Sequence, residues 1–173
     1  PLQNGQMVCT DCHSPHGSMN KAALKHPTTN DNCYSCHAEK RGPLLWEHEP
    51  VTEDCSSCHN PHSGKLILPG NQTCISCHAK TFDSPSHHFH ATNTAGAECK
   101  NCHAPSKIYM GNDVRYDHAF RAPRPDLSVQ YATPNACNNC HDDKSASWAA
   151  DFIVEKYGAE RADHFSDHLL KGY

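Results

Sequence analysis

The sequence predicts a fold of short helices and loops with little regular secondary structure and no conventional hydrophobic core. The chain has 173 residues, a mean hydropathy of −0.76 and 8% aromatic residues. Apolar side chains alone would therefore bury too little surface to offset the loss of backbone entropy. Twelve prolines and nine glycines interrupt regular elements. Twelve cysteines and 16 histidines, far above ordinary usage, suggest what replaces the missing core.

Every cysteine belongs to one pentapeptide, Cys-x-x-Cys-His, which occurs six times and leaves no thiol over. Two thiols three residues apart on one turn can each form a thioether with a vinyl group of one haem. The adjacent histidine then supplies an axial nitrogen to the iron, so the pattern is the attachment motif of c-type haem. The predicted sites are Cys9, Cys12 and His13; Cys33, Cys36 and His37; Cys55, Cys58 and His59; Cys74, Cys77 and His78; Cys99, Cys102 and His103; and Cys137, Cys140 and His141.

Two other chemistries use closely spaced cysteines. A structural zinc site needs a second paired set of ligands, and a disulfide scaffold needs no histidine after every second cysteine. Neither explains the fixed histidine in all six copies. The sequence therefore favours six covalently bound haems (haem c) over both alternatives.

This cofactor content predicts a multihaem cytochrome c fold, with short α-helices and loops wrapped around a chain of six haems and a C-terminal amphipathic helix. We expect one hexahaem domain over residues 1–173. Within it, residues 1–80 would hold the first four haems, residues 81–144 the last two, and residues 145–173 a helical tail.

Ten histidines lie outside the pentapeptides, which is more than six irons need as second axial ligands. His16 and His62 each follow an attachment histidine by three residues, with a proline between that should hold the chain extended. Neither could then fold back onto its own haem. Each is predicted to ligate a neighbouring haem instead.

Apart from His16 and His62, the histidines His26, His48 and His118 each stand alone in an interval between motifs, so each is a predicted ligand. A methionine thioether is a possible axial ligand that raises the potential, but the abundance of histidine disfavours it here. The methionines are Met7, Met19 and Met110.

The cluster His87, His88 and His90 should supply one ligand, with the others solvated or near haem propionates; the sequence does not say which one ligates. His164 and His168 lie four residues apart on one face of a helical pattern. We expect these two to be ordinary exposed histidines.

Two further segments have a predicted shape. The proline-rich residues 121–127 should run as an extended strap. Residues 142–158 should contain a helix with a buried stripe and a glycine at its end. Its cap would be Asp142, Asp143 or Ser145, its stripe Trp148, Phe152 and Tyr157, and its last turn would end at Gly158.

Residues 5–78 contain GQMVCTDCHSPHGS, CYSCHAEKRGPLLWEHEPVTEDCSSCHNPHSG and CISCH. This text resembles decahaem periplasmic cytochromes that feed electrons through the outer membrane to external acceptors. The resemblance implies that His16, His48 and His62 are distal ligands.

Residues 99–158 contain CKNCHAPSKIYMGNDVRYDHAFRAPRPDLS and TPNACNNCHDDKSASWAADFIVEKYG. This text resembles the haem region of multihaem cytochromes that carry tetratricopeptide repeats, which implies that His118 is a ligand. Those relatives continue into helical repeats, whereas this sequence ends at Tyr173.

The net charge of −4, with scattered lysines and arginines, argues against nucleic-acid binding, and no apolar run is long enough to cross a bilayer. We therefore expect electron transfer along closely spaced bis-histidine haems, for extracellular respiratory electron export. The location would be extracellular or the cell surface, otherwise the periplasm, after removal of a leader. Partners would be other electron-transfer proteins or further copies of the chain in a polymeric filament.

Two alternatives stay open at this point. One is a discrete periplasmic electron shuttle. The other is an oxidoreductase acting on nitrite, hydroxylamine or similar small molecules, which would need an iron with an open position and adjacent acid–base groups. No attachment motif deviates from the Cys-x-x-Cys-His form, and histidine is in surplus. We therefore expect no enzymatic activity.

Overall fold

A computed structural model of the chain describes residues 2–44, 47–162 and 165–172. The chain forms two compact units, Pro1–Thr92 (unit 1) and Asn93–Tyr173 (unit 2). Four attachment motifs belong to unit 1 and two to unit 2. The haem-based division at residues 80 and 144 stays a prediction.

Unit 1 consists of helices of four to six residues joined by turns. They are α1 (Cys9–Cys12), α2 (Thr29–Tyr34), α3 (Glu49–Glu53), α4 (Gln72–Ile75) and α5 (Pro85–His88). Single 3₁₀ turns lie between them at Leu2–Asn4, Lys21–Ala23, Ala38–Lys40, Cys55–Ser57 and Lys80–Phe82. The expected short helices and scarcity of regular structure are confirmed.

Two buried asparagines connect the segments of unit 1. The amide of Asn30 donates to the carbonyls of Val51 and Thr52, both at 3.2 Å, and its oxygen accepts the N–H of Cys55 at 2.6 Å. The amide of Asn32 donates to the Thr28 carbonyl at 2.7 Å. Asn30 thus fixes α2, which carries part of the second motif, beside the first residue of the third.

Unit 2 contains longer helices and a β-hairpin that the sequence analysis did not predict. The elements are α6 (Cys99–His103), β1 (Ser106–Tyr109), β2 (Asp113–Tyr116), α7 (Pro125–Tyr131), α8 (Ala146–Tyr157) and α9 (Phe165–Lys171), with 3₁₀ turns at Ala95–Ala97 and Cys137–Asn139. The strands pair antiparallel, with Ile108 opposite Val114. Gly111, with φ +80°, supplies the left-handed conformation of the hairpin turn.

A small polypeptide core lies in unit 2, where α7 packs against α8. Its buried side chains are Ala97, Ala104, Ala119, Pro125, Leu127 and Ala149. Within the described residues of unit 1 no hydrophobic side chain is buried to this degree. None of the helices in the described parts of the chain is long and apolar enough to cross a bilayer.

The expected strap is wrong beyond Arg124. The chain is irregular over residues 121–124, and Pro125 then begins α7. Proline is favoured in the first turn of a helix, where its missing N–H costs nothing, so the same residue type that indicated a strap starts a helix.

The buried aromatic stripe is also wrong, although a helix does occupy the segment. Ser145 caps α8 by accepting the N–H of Trp148 at 3.1 Å, and Gly158 follows the last turn with φ +82°. The buried residue of α8 is Ala149, whereas Trp148 is 38% exposed and Tyr157 47% exposed. The small Ala149 side chain is thus the one that α8 buries, whereas its aromatic side chains stay partly or largely exposed.

Candidate haem attachment sites

Each attachment motif forms one helical turn. The N–H of the histidine donates to the carbonyl of the first cysteine at 2.9–3.0 Å in five motifs, and in the remaining one α6 spans Cys99–His103. This turn places both thiols and the imidazole of a motif together, as covalent haem attachment requires. None of the twelve cysteines is in a disulfide, and their side chains are partly or fully exposed, so all of them are accessible for haem attachment.

Consecutive motifs of unit 1 are neighbours in space. Burial, followed by the nearby thiol of Cys33, raises the pKa of Cys12 in the first motif. The thiols of Cys33 and Cys55 share a hydrogen bond, which lowers the pKa of Cys55 to about 7 and raises that of Cys33. Burial, then Cys74 of the fourth motif, raises the pKa of Cys58. The four motifs of unit 1 therefore follow one another in space in sequence order.

The two motifs of unit 2 form a similar pair. Burial raises the pKa of Cys102 in the fifth motif, and the thiols of Cys137 and Cys140 in the sixth raise it further. Trp148 of α8 lies with its ring centroid 5.1 Å from that of His141. Helix α8 therefore presents Trp148 to the sixth motif.

Backbone carbonyls orient several of the attachment histidines. In each case the Nδ1–H donates to a carbonyl, so the Nε2 lone pair is the one available to a metal. The bonds run from His13 to Ala22 at 2.8 Å, from His59 to Gly64 at 3.1 Å and from His103 to Arg121 at 3.1 Å. These carbonyls could not be identified from the sequence, because a backbone carbonyl carries no side-chain signal.

The two Cys-His-x-Pro-His segments are turns, so the expected extended conformation is wrong. The N–H of Gly17 donates to the Ser14 carbonyl at 3.1 Å, and that of Gly64 donates to the Asn60 carbonyl at 2.7 Å. The chain then folds back, forming isolated bridges between His13 and Leu24 and between His59 and Leu66. This return brings the orienting carbonyls over the two rings.

Two pairs of predicted ligands stand with nearly parallel rings. The ring centroids of His13 and His62 are 6.3 Å apart with an interplanar angle of 20°, and those of His48 and His78 are 6.0 Å apart with an angle of 26°. Two imidazoles on opposite sides of one metal, each with a bond of about 2 Å, place their centroids roughly 6 Å apart. Both pairs therefore fit an iron between the rings.

The pKa of His48 is consistent with the binding of an iron by its ring. Burial, followed by the proximity of His78, lowers the pKa of His48. The neutral imidazole is the form whose nitrogen binds a metal.

The other predicted distal histidines lie in varied surroundings. His118 donates from Nδ1 to the Tyr116 carbonyl at 3.0 Å. His16 is exposed in its turn, and His26 lines a cavity of about 420 Å³ with Tyr34 and Arg41. His168, which the sequence predicts to be an ordinary exposed histidine rather than a ligand, is exposed on α9.

Two residues of the predicted segments, His164 and Trp46 of the WEH segment, lie outside the described residues. Within the described residues, no group of three or more His, Cys, Asp or Glu side chains could hold a metal ion on its own.

Comparison with known proteins supports the assignment of these motifs as haem attachment sites. Residues 1–42 and 48–83 match the model of the doubled CXXCH motif family. Over 126 residues the chain is 46% identical to the multiheme cytochrome MtrA of Shewanella baltica (strain OS185), a match covering 65% of this chain and 37% of that relative. The chain thus spans about 37% of the length of the curated relative it matches. Its paired motifs are attachment sites of covalent c-type haem, and the chain is a multihaem c-type cytochrome related to the decahaem conduit cytochromes.

Proposed function

We propose that this chain conducts electrons through six c-type haems, each held between two histidines. The observation that carries the proposal is the pairing of His13 with His62 and of His48 with His78, at 6.3 and 6.0 Å between ring centroids. One histidine of each pair belongs to an attachment motif and the other to a different segment. The second ligand therefore ties two segments of unit 1 together.

When bound, haem iron supplies reversible one-electron chemistry. The chain's residues hold it by two thiols and two imidazoles at each site. Permanent ligation on both faces leaves no position for a substrate, and the same ligands remain in both oxidation states. We therefore propose an electron-transfer role without enzymatic activity.

The spatial order of the motifs supports a conducting role. Thiols of the first to fourth motifs approach one another in sequence order, and so do those of the fifth and sixth. Groups attached at adjacent motifs would lie close together within each unit. A location outside the cytoplasm and export to external acceptors follow from the resemblance to conduit cytochromes and belong to the same proposal.

Haem content and spin state test the proposal. The reduced pyridine haemochrome and the intact mass should give six covalent haems per chain, and the ferric protein should be entirely low-spin. A high-spin ferric signal together with nitrite or hydroxylamine binding would instead favour the oxidoreductase alternative. A colourless protein, or one with zinc or disulfides at the motifs, would refute haem binding.

The ring pairs have their own test. His48→Met and His62→Met should each raise the potential of one haem, because a thioether replaces one imidazole. The control His168→Met, at an exposed histidine, should leave all potentials unchanged. Unchanged potentials in both test variants would remove these two residues from the ligand set.

Whether copies of the chain assemble is a separate question. A polymer requires open, heterologous contacts between subunits. Negative-stain microscopy of the purified holoprotein distinguishes filaments from discrete particles, and discrete particles over a range of concentrations would exclude the filament.

A further inference from the structure

We propose that His90 is the member of the cluster His87, His88 and His90 that ligates a haem iron. The inference rests on the proposed function, since it presupposes haem at the motifs. It settles a choice that the sequence alone leaves open. The hydrogen bonds within the cluster distinguish His90 from His88.

The ring of His90 is held by a backbone carbonyl. Its Nδ1 forms a hydrogen bond with the carbonyl of His88, and because a carbonyl only accepts, Nδ1 carries the proton. In the neutral ring the lone pair then lies on Nε2. His118 is arranged the same way, with Nδ1 donating to the carbonyl two residues earlier. His90 therefore carries its proton on the same nitrogen as His118 and the attachment histidines His13, His59 and His103.

The ring of His88 accepts a hydrogen bond at its Nδ1 instead of donating one. The backbone N–H of His90 donates to Nδ1 of His88 at 3.2 Å, so this nitrogen is the acceptor. The neutral ring then carries its proton on Nε2. One nitrogen of His88 is engaged and the other is protonated, so this arrangement offers no lone pair to an iron.

The backbone conformation between His88 and His90 explains why two histidines so close in sequence are protonated on different nitrogens. Helix α5 ends at His88 and is followed by Phe89, whose φ of 56° lies in the left-handed region that non-glycine residues rarely adopt. The turn brings the ring centroids of His88 and His90 to 6.4 Å with an angle of 36°, and it allows both hydrogen bonds to form. Backbone strain of this kind is concentrated at functional sites.

His87 has a different environment. Its ring packs edge to face against Phe82, with centroids 5.1 Å apart. Phe82 belongs to the 3₁₀ turn Lys80–Phe82 directly after the fourth motif. His87 therefore joins α5 to this turn by ring packing.

The test compares His87→Ala, His88→Ala and His90→Ala in the full-length holoprotein. Each variant should retain six covalent haems by pyridine haemochrome. In His90→Ala, one haem of the six should change from low-spin to high-spin in the ferric electron paramagnetic resonance spectrum. Added imidazole should restore the low-spin signal. His87→Ala and His88→Ala should remain fully low-spin, and a high-spin haem in either of them but not in His90→Ala would overturn the proposal.

If the His90→Ala protein does not fold and accumulate, His90→Met provides a second test. His90→Met retains a possible ligand, so the potential of one haem should rise while His88→Met leaves all potentials unchanged. Unchanged potentials in His90→Met would overturn the proposal. A wild-type chain without covalent haem would instead overturn the proposed function, so the two failures are distinguishable.

Discussion

The two units of this chain are stabilised by different means. Unit 1 carries four attachment motifs, and the side chains buried within its described residues, Asn30 and Asn32, are polar. Unit 2 carries two motifs and buries Leu127, Pro125 and several alanines between α7, α8 and their neighbours. Where attachment motifs are dense, hydrogen bonds and cofactors take the place of apolar packing. Where they are sparse, the polypeptide forms a small core of its own.

The largest expected effect is the response of the two units to haem removal. In full-length chain prepared without covalent haem, amides of unit 1 should exchange with deuterium at nearly unprotected rates, because no apolar core remains there. Amides of α8 should keep measurable protection, since the helix is capped by Ser145 and packed on α7. Hydrogen-exchange mass spectrometry resolves the two units in one sample. Equal protection in both would refute the comparison.

A large change is also expected from Leu127→Ala in the core of unit 2. Leu127 is 7% exposed, and truncating a buried leucine costs about 2–5 kcal/mol. The free energy of unfolding, followed by the far-ultraviolet circular dichroism of the holoprotein, should fall by about 3 kcal/mol. The control Val129→Ala, on the same helix at a residue 52% exposed, should change it by less than about 0.5 kcal/mol.

A smaller change is expected from Asn30→Ala in unit 1. The substitution removes this partner from the carbonyls of Val51 and Thr52 and from the Cys55 N–H, all three in partly buried hydrogen bonds. Each unsatisfied group costs about 1–3 kcal/mol, partly recovered by water, so we expect a loss of about 2 kcal/mol. Guanidinium unfolding monitored at the haem absorbance measures it, and Asn112→Ala in the exposed hairpin turn is the control. A loss no larger than that of the control would show that Asn30 does not connect these segments.

The contrast between the units also marks what sequence could and could not predict. The attachment turns follow from Cys-x-x-Cys-His itself, because the spacing and the chemistry are both local. Helix α8 was predictable from Ser145 and Gly158 for the same reason. The roles of Asn30 and the Ala22 carbonyl depend on partners elsewhere in the chain, which no local pattern encodes.

The mistaken stripe of α8 has a related cause. Aromatic spacing predicts which side chains share a helix face but not what covers that face. In an ordinary domain the cover is polypeptide. Here Trp148 lies beside His141 of the sixth motif, and the side chain that α8 buries is Ala149. The hairpin β1–β2 was missed because each strand has only four residues, mostly exposed, and the first strand, SKIY, does not alternate polar and apolar residues.

The smallest expected effect is a pH dependence confined to unit 2. Arg124 donates to the Asp126 carboxylate from Nε at 2.9 Å and from a terminal nitrogen at 2.8 Å, and it also reaches Asp167 of α9 at 3.3 Å. Burial alone would raise the pKa of Asp126, but the hydrogen bonds and charge of Arg124 outweigh it and lower that pKa.

A carboxylate with a lowered pKa in the folded state stabilises the fold above its unfolded pKa of about 4, and this contribution is lost as the pH falls through the folded pKa. Because Asp126 is 39% exposed, we expect less than about 1 kcal/mol. Thermal unfolding between pH 6 and pH 3 should show a loss that Asp126→Asn lacks, while Asp143→Asn, at an exposed carboxylate, should retain it. An identical pH profile in wild type and Asp126→Asn would mean that the ion pair contributes nothing, and that apolar packing between α7 and α8 alone holds this part of unit 2.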